Sequence, residues 1–345
     1  MSSTRITTPF GAESTAGEVI AGITLSGKRA VVTAHALASA GAQVTLAVRD
    51  VEAGHRTARD IIGSTGNRDV LVSWLDLADQ PSVAAFVAHW SGPLHILVDN
   101  AGIMATPELR TPQGWEMQFA TNHLGHFALT TGLHDALAAA SGARVVVVSS
   151  IGHVNGEVLF DDLNFERHPY DPWAAYAQSK TANILFTVEA ATRWAGDGIT
   201  VNALNPGRIA STDLGRHMPP APASFDPSAS TGVSVKTIEQ GTATSVLLAA
   251  SRSTASPAST SRTARKQYAT RRECAAVSRT TRSTPRKPPA CGRCRLTYSP
   301  RLPPREGGPM PLEFTNKTAP ITGGGSGIGR SSALALAVVT ALPSR

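Results

Sequence analysis

Apolar positions along this chain gather in six short runs, separated by longer stretches of mixed character. The runs are Arg29–Thr33 (RAVVT), Val44–Val48 (VTLAV), Val70–Leu75 (VLVSWL), Leu94–Val98 (LHILV), residues 144–149 with four successive valines from Val145, and Ile199–Leu204 (ITVNAL). They are rich in β-branched residues and mostly continuous rather than alternating. That is how strands covered on both faces read. Between them lie segments of helical spacing, notably 113–139 and 173–195, with a last one at 239–250. Strands alternating with helices predict an α/β fold, a Rossmann-like doubly wound parallel sheet. Residues 1–27 read as a loose lead-in with a small apolar patch at Val19, Ile20, Ile23 and Leu25.

The first crossover is too short for the usual unit. Only residues 34–42 separate Thr33 from Gln43. A helix running back along a five-residue strand of about 17 Å needs about eleven residues at about 1.5 Å each, before any turns. The first βαβ unit is therefore expected to be damaged, by a displaced first strand or a distorted connection.

Composition divides the rest. Residues 28–251 form one α/β domain. Residues 252–309 follow as a segment rich in Arg, Ser and Pro, and 310–345 as a separate βα fragment. The stretch 252–305 has fourteen Lys and Arg against one Glu, and no Ile, Phe, Met, Trp or Asp. It cannot bury a core and reads as a disordered basic tail. The chain's formal charge of +7 comes from this segment, because the remainder holds 18 basic and 24 acidic residues. Whole-chain charge is thus no argument for nucleic-acid recognition. Nonspecific, salt-sensitive binding of anions or nucleic acid by the tail stays open.

No run of 18 apolar residues predicts a membrane span. The amino terminus lacks the apolar core of a secretory signal, which predicts a cytoplasmic protein. The three cysteines lie at 274, 291 and 294. A lone C-x-x-C without a second pair is a poor zinc site, and His123, His126 and His134 lack an H-E-x-x-H context, so no metal is expected.

The chemistry concentrates in Tyr176-Ala-Gln-Ser-Lys180, read with Ser149-Ser150. Tyrosine and lysine four apart share a helix face. An ammonium near a phenol favours the phenolate and moves it toward working range. Ser150 ends the valine strand, where open α/β sheets bind ligands. Serine can hold a carbonyl oxygen and tyrosine can exchange a proton with it. That suits hydride transfer between a nicotinamide and an alcohol or carbonyl. Taken alone, the pair also fits an amphipathic helix with a solvated lysine.

Further motifs decide the matter. Asp99-Asn100-Ala101-Gly102 follows the fourth strand, Asn122 lies on the next helix, and Asn205-Pro206-Gly207 follows the sixth strand. In this order they resemble the short-chain dehydrogenase/reductase family over about residues 15–251. SSIGH and YAQSKTANILF look most like its retinol-dehydrogenase-like and WW-domain-oxidoreductase-like branch. The resemblance implies an NAD(P)-dependent oxidoreductase with catalytic Ser150, Tyr176, Lys180 and Asn122, the last holding a water in a proton relay. It implies cofactor contacts at Asp76, Leu77, Asn100, Ala101, Gly102, Tyr176, Lys180, Pro206, Gly207 and Ile209. Arg49, where an acidic residue would hold a ribose hydroxyl, favours NADP, with NAD as the alternative. A small-molecule alcohol or carbonyl substrate of lipophilic character and a homo-oligomer are also implied.

Two departures from the family stand out. Its glycine-rich turn, T-G-x-x-x-G-x-G, is missing after the first strand, and no seventh strand is evident after the helix at 239–250. A complete copy of the turn, Thr322-Gly-Gly-Gly-Ser-Gly-Ile-Gly329, appears near the carboxyl terminus. It resembles the opening of a second family member. These departures keep open a catalytically impaired or inactive protein of the same fold. They also keep open a docking of the late unit into the damaged slot, which would supply Gly323, Gly327 and Gly329.

Overall fold

The computed structural model describes residues 8–31, 34–209, 211–218, 235–250 and 319–322. In chain order the elements are α1 (Ala16–Ile20), β1 (Arg29–Val31), α2 (Ala34–Ser39), β2 (Gln43–Val48), α3 (Val51–Thr65), β3 (Val70–Trp74), α4 (Gln80–His89) and β4 (Ile96–Asp99). There follow α5 (Met117–Phe119), a π-helical turn at Ala120–Leu124, α6 (Gly125–Gly132), α7 (His134–Ala139) and β5 (Arg144–Val148). A 3-10 turn (Ile151–Asn155), α8 (Pro172–Arg193), β6 (Thr200–Leu204), α9 (Ile238–Ala250) and β7 (Ala319–Thr322) complete the set.

The strands form one parallel sheet in the order β3, β2, a central slot, β4, β5, β6. The central slot holds both β1 and β7. This is the doubly wound arrangement the strand–helix alternation predicts. Val145, Val146, Val147 and Val148 of β5 are all buried, so the valine run reflects cover on both faces. Local signals end the helices cleanly. Asp50 caps α3 by accepting from the Ala53 N–H at 2.9 Å, and Gly66 closes it in the left-handed conformation.

The lead-in is not loose. A reciprocal capping box between Thr15 and Glu18 starts α1. That helix packs on α9, and Val19, Ile20, Ile23 and Leu25 are buried in the main core. The boundary expected at residue 27 therefore does not separate a domain from a tail. An apolar patch on so short a helix becomes core only because α9, more than two hundred residues later, lies across it.

The first βαβ unit forms in shortened shape. β1 has three residues, and α2 has six. A six-residue helix rises about 9 Å, and a three-residue strand spans about 10 Å. The short crossover thus fits a short strand, and β1 stays in register with β2 (Ala30 opposite Val44) and β4 (Ala30 opposite Ile96).

The sheet has a seventh strand among the described residues, but it is not the one expected after α9. It comes from the fragment expected to stand alone over 310–345, whose residues 319–322 join the main sheet. The place of a strand directly after α9, the basic stretch 252–305, the three cysteines and the glycines of 323–329 lie outside the described residues.

Candidate active site

The site is built at the carboxyl ends of β4 and β5, under one face of α8. Asp171 starts α8 by accepting from the Ala174 N–H at 2.7 Å, with Pro172 in the first turn. The helix presents Ala175, Ala177, Ser179 and Ala182 as small buried residues, which let it lie close against its neighbours. Tyr176 and Lys180 are both nearly fully buried. The solvated-lysine reading is therefore wrong for this helix.

Lys180 reaches back to the sheet. Its Nζ donates to the Val148 carbonyl at 3.0 Å, while the Ser149 hydroxyl donates to the Lys180 carbonyl at 2.9 Å. These two bonds fix α8 against the end of β5 from both directions. The Lys180 Nζ stands 5.8 Å from the centre of the Tyr176 ring. Burial lowers the lysine to about 8.

Ser150 is extended and caps the 3-10 turn, accepting from the Gly152 N–H at 3.1 Å. Its side chain also hydrogen-bonds the Tyr176 phenol. Burial pushes the phenol above its ordinary value, and the bond with Ser150 works in the opposite direction. The tuning expected from Lys180 is thus not what this geometry shows. The ammonium is turned to Val148, and the partner that eases ionisation of the phenol is Ser150. Gly152 makes room for the ring, since a Cβ there would stand 3.0 Å from Tyr176 Cε1.

Asn122 sits in the π-helical turn, a widened turn that recurs at functional sites. Its side chain brackets Ile103, accepting from the Ile103 N–H at 2.9 Å and donating to the Ile103 carbonyl at 2.9 Å. It also donates to the Ser179 hydroxyl at 3.0 Å. The Asn122 carbonyl accepts from His126 Nδ1 and from Asn183 Nδ2, each at 3.0 Å. With two lone pairs engaged, that carbonyl has no remaining site for the water expected of it. The geometry favours a positioning residue that ties the 100–103 segment to α8.

Tyr176, Ser179, Lys180 and Asn183 are spaced i, i+3, i+4 and i+7, one helix face. Sequence reading stopped at the first and third. The spacing of polar residues in that face was the signal for Ser179 and Asn183. The three histidines go separate ways, His123 to Asn183, His126 to the Asn122 carbonyl, and His134 to Asp197. Among the described residues no cluster of His, Cys, Asp or Glu could hold a metal ion.

The expected cofactor residues line the same edge. A Cβ on Gly102 would meet Asn122 Oδ1 at 3.2 Å and Lys180 Nζ at 3.6 Å, so only glycine leaves this cradle open. Asn100 and Ala101 stand beside it at the end of β4 and are hydrogen-bonded or otherwise engaged. Asp99 is buried, accepts from the Thr130 hydroxyl at 2.7 Å and is raised by burial to about 7. Gly207 follows Pro206 with φ +89° and donates to Asn205 Oδ1 at 3.2 Å. Ile209 packs on α9, where Gly241 has no space for a side chain. Arg49 is exposed at the end of β2.

The adenine-side residues are engaged structurally. Asp76 Oδ1 accepts from the Ala78 N–H at 2.9 Å, an Asx turn. Leu77 is buried, with its backbone tight against Gly125. For a nicotinamide dinucleotide the two halves of the site give different answers. The Gly102 cradle beside Ser150, Tyr176 and Lys180 fits a nicotinamide and its ribose. The β1–α2 link does not fit a pyrophosphate, because residues 29–40 contain no glycine and α2 is less than two turns long.

Comparison with known proteins agrees with this arrangement. Residues 30–222 match the family model described as short chain dehydrogenase. A probable oxidoreductase of Streptomyces antibioticus is 51% identical over 249 residues, covering 66% of this chain and 81% of that protein. Retinol dehydrogenase 13 of Homo sapiens is 47% identical over 188 residues, covering 54% of this chain and 56% of that protein. A solved structure from Mycobacterium paratuberculosis, of an uncharacterized protein, is 40% identical, with a TM-score of 0.51 over 56% of this chain and 72% of that one. A short chain dehydrogenase/reductase family protein at 22% identity shares the fold, with a TM-score of 0.53 over 68% of this chain and 95% of that one. The chain belongs to the short-chain dehydrogenase/reductase family, in its retinol-dehydrogenase-like branch, and is thereby an NAD(P)-dependent oxidoreductase by descent.

Proposed function

We propose that this chain transfers a hydride between NADP(H) and a lipophilic alcohol or carbonyl. The observation that carries the proposal is the buried group of Ser150, Tyr176 and Lys180 at the carboxyl end of β5. The bound nicotinamide supplies or accepts the hydride. Ser150 holds the substrate oxygen by its hydroxyl. Tyr176, already hydrogen-bonded to Ser150, passes a proton to that oxygen in reduction and takes one in oxidation. Lys180 holds the nicotinamide ribose and keeps positive charge near the phenol. Asn122 fixes the segment that forms the Gly102 cradle.

Arg49 supports NADP over NAD, because an exposed guanidinium at the end of β2 suits a 2′-phosphate. Exposed apolar side chains support a lipophilic substrate. Ile151 directly follows Ser150 and is 62% exposed, and Trp173 lies one turn before Tyr176 and is 51% exposed. The names of the human and mouse retinol dehydrogenases among the relatives are consistent with this. The proposal includes a homo-oligomer and a cytoplasmic location.

The test is fluorescence titration of the full chain with NADPH and NADH, followed by turnover of a lipophilic aldehyde. Tighter binding of NADPH, with Tyr176→Phe losing turnover by about a hundredfold or more while still binding NADPH, is the expected result. A second reading rests on the β1–α2 link, which lacks a phosphate turn. In it the fold persists without cofactor binding. Failure of both titrations selects it.

A further inference from the structure

The central slot of the sheet is occupied in tandem. β1 pairs with Gln43, Val44 and Thr45 of β2 and with Ile96 and Leu97 of β4, and it ends at Val31. Beyond it, Leu46–Val48 of β2 and Val98–Asp99 of β4 run on toward the carboxyl edge. Those positions would leave open backbone groups in the middle of a buried sheet, which is costly. β7 takes the place. It runs parallel to both neighbours, with Leu46 opposite Ile321, Ala47 opposite Thr322 and Val98 opposite Ile321.

The two strands meet at Val44 and Thr45, which each of them pairs. Proline is poorly tolerated in a central strand because it has no N–H. Pro320 falls opposite Thr45, where β1 already supplies a partner in Val31. The residues that pair beyond the reach of β1, Ile321 and Thr322, both have donors. The overlap therefore places the one defective residue of β7 where it is least needed.

Position along the sheet gives the strand its meaning. Thr322 ends level with Ala47, two residues before Arg49, and Ile321 is level with Val98, two residues before Asn100. The chain thus leaves β7 between the segments on either side of the switch point, where a doubly wound sheet binds its ligand. The sequence that leaves it is Gly323-Gly-Gly-Ser-Gly327-Ile-Gly329. Those residues lie outside the described part, but their order is the fingerprint of a phosphate-binding turn when it follows a strand of such a sheet.

We propose that β7 is a transplanted central strand, donated in cis, and that the glycine-rich sequence following it supplies the cofactor pyrophosphate site that the β1–α2 link lacks. This rests on the dinucleotide-dependent activity proposed above. The 68 residues of 251–318 give the chain ample length to return to its own sheet. The division of labour is physical. The first crossover is long enough to build the amino half of the strand position but not its turn, and the late segment brings the carboxyl half with the turn attached.

Hydrogen exchange of the full chain without cofactor tests the strand, and NADPH titration tests the turn. Amides of 321–322 are expected to exchange at least tenfold more slowly than an unstructured chain, and Gly327→Val to weaken NADPH at least tenfold with an unchanged Tm. Exchange of 321–322 at the unstructured rate overturns the inference. NADPH binding that is unchanged in Gly327→Val overturns the turn's role and leaves the proposed activity standing. Affinity that rises with protein concentration overturns donation in cis. Absence of both NADPH and NADH binding, with 321–322 protected, overturns the proposed activity and the phosphate role together.

Discussion

Two buried ionisable residues beside the site carry opposite pH signatures. Asp99 has its folded pKa raised to about 7 by burial. Its contribution to stability is present below the ordinary carboxylate value and is lost as pH rises through 7. Thermal unfolding between pH 4 and 8 is expected to show this decline, and Asp99→Asn to flatten it. Lys180 is the mirror case, lowered to about 8. The unfolded lysine holds its proton between about 8 and its ordinary value, so stability falls as pH falls through 8. Lys180→Met is expected to abolish turnover while raising the Tm at pH 7, up to a ceiling of about 3 kcal/mol. A drop in Tm would show that the bond to Val148 outweighs the cost of burying the ammonium. Tyr176 and Ser150 were legible from types and positions. That Ser150 rather than Lys180 eases the phenol was not, because it depends on which way a buried side chain turns.

Among the elements, the contact of the π-helical turn and α6 with the end of β3 is the tightest joint near the site. A Cβ on Gly125 would stand 2.2 Å from the Leu77 carbonyl oxygen. Neither partner is the end of a flexible side chain, so one backbone must move. Gly125→Ala is expected to destabilise by about 3 kcal/mol, read as a shift in the urea midpoint. Because Leu77 adjoins Asp76, the same variant should also weaken cofactor binding. The strands were legible in the sequence because a parallel sheet covered on both faces demands continuous apolar runs. The shortened α2 was legible in part. The residue count excluded a full crossover, but only the paired register shows that a three-residue strand matches a six-residue helix.

At the scale of the whole molecule, the chain closes on itself from both ends. The start of the chain supplies α1, whose Val19 and Ile20, with Ile23 beyond, are buried with the core formed by α9 and the sheet. A chain beginning at Thr24 loses these three apolar side chains. It is expected to be less stable by at least about 3 kcal/mol, measured by urea unfolding. The late strand fills the central slot from the other direction. What the sequence by itself determined is the alternation of strand and helix, the Ser150, Tyr176 and Lys180 group, and the absence of a phosphate turn after β1. These rest on local periodicity and on spacing within single elements. The tertiary structure decided that the lead-in is core, that Asn122 is a tether, and that residues 319–322 belong to the main sheet. Each of these is a pairing between segments far apart in the chain. Such pairings depend on which buried backbone and apolar groups lack partners once the other elements are in place, and no local pattern records that.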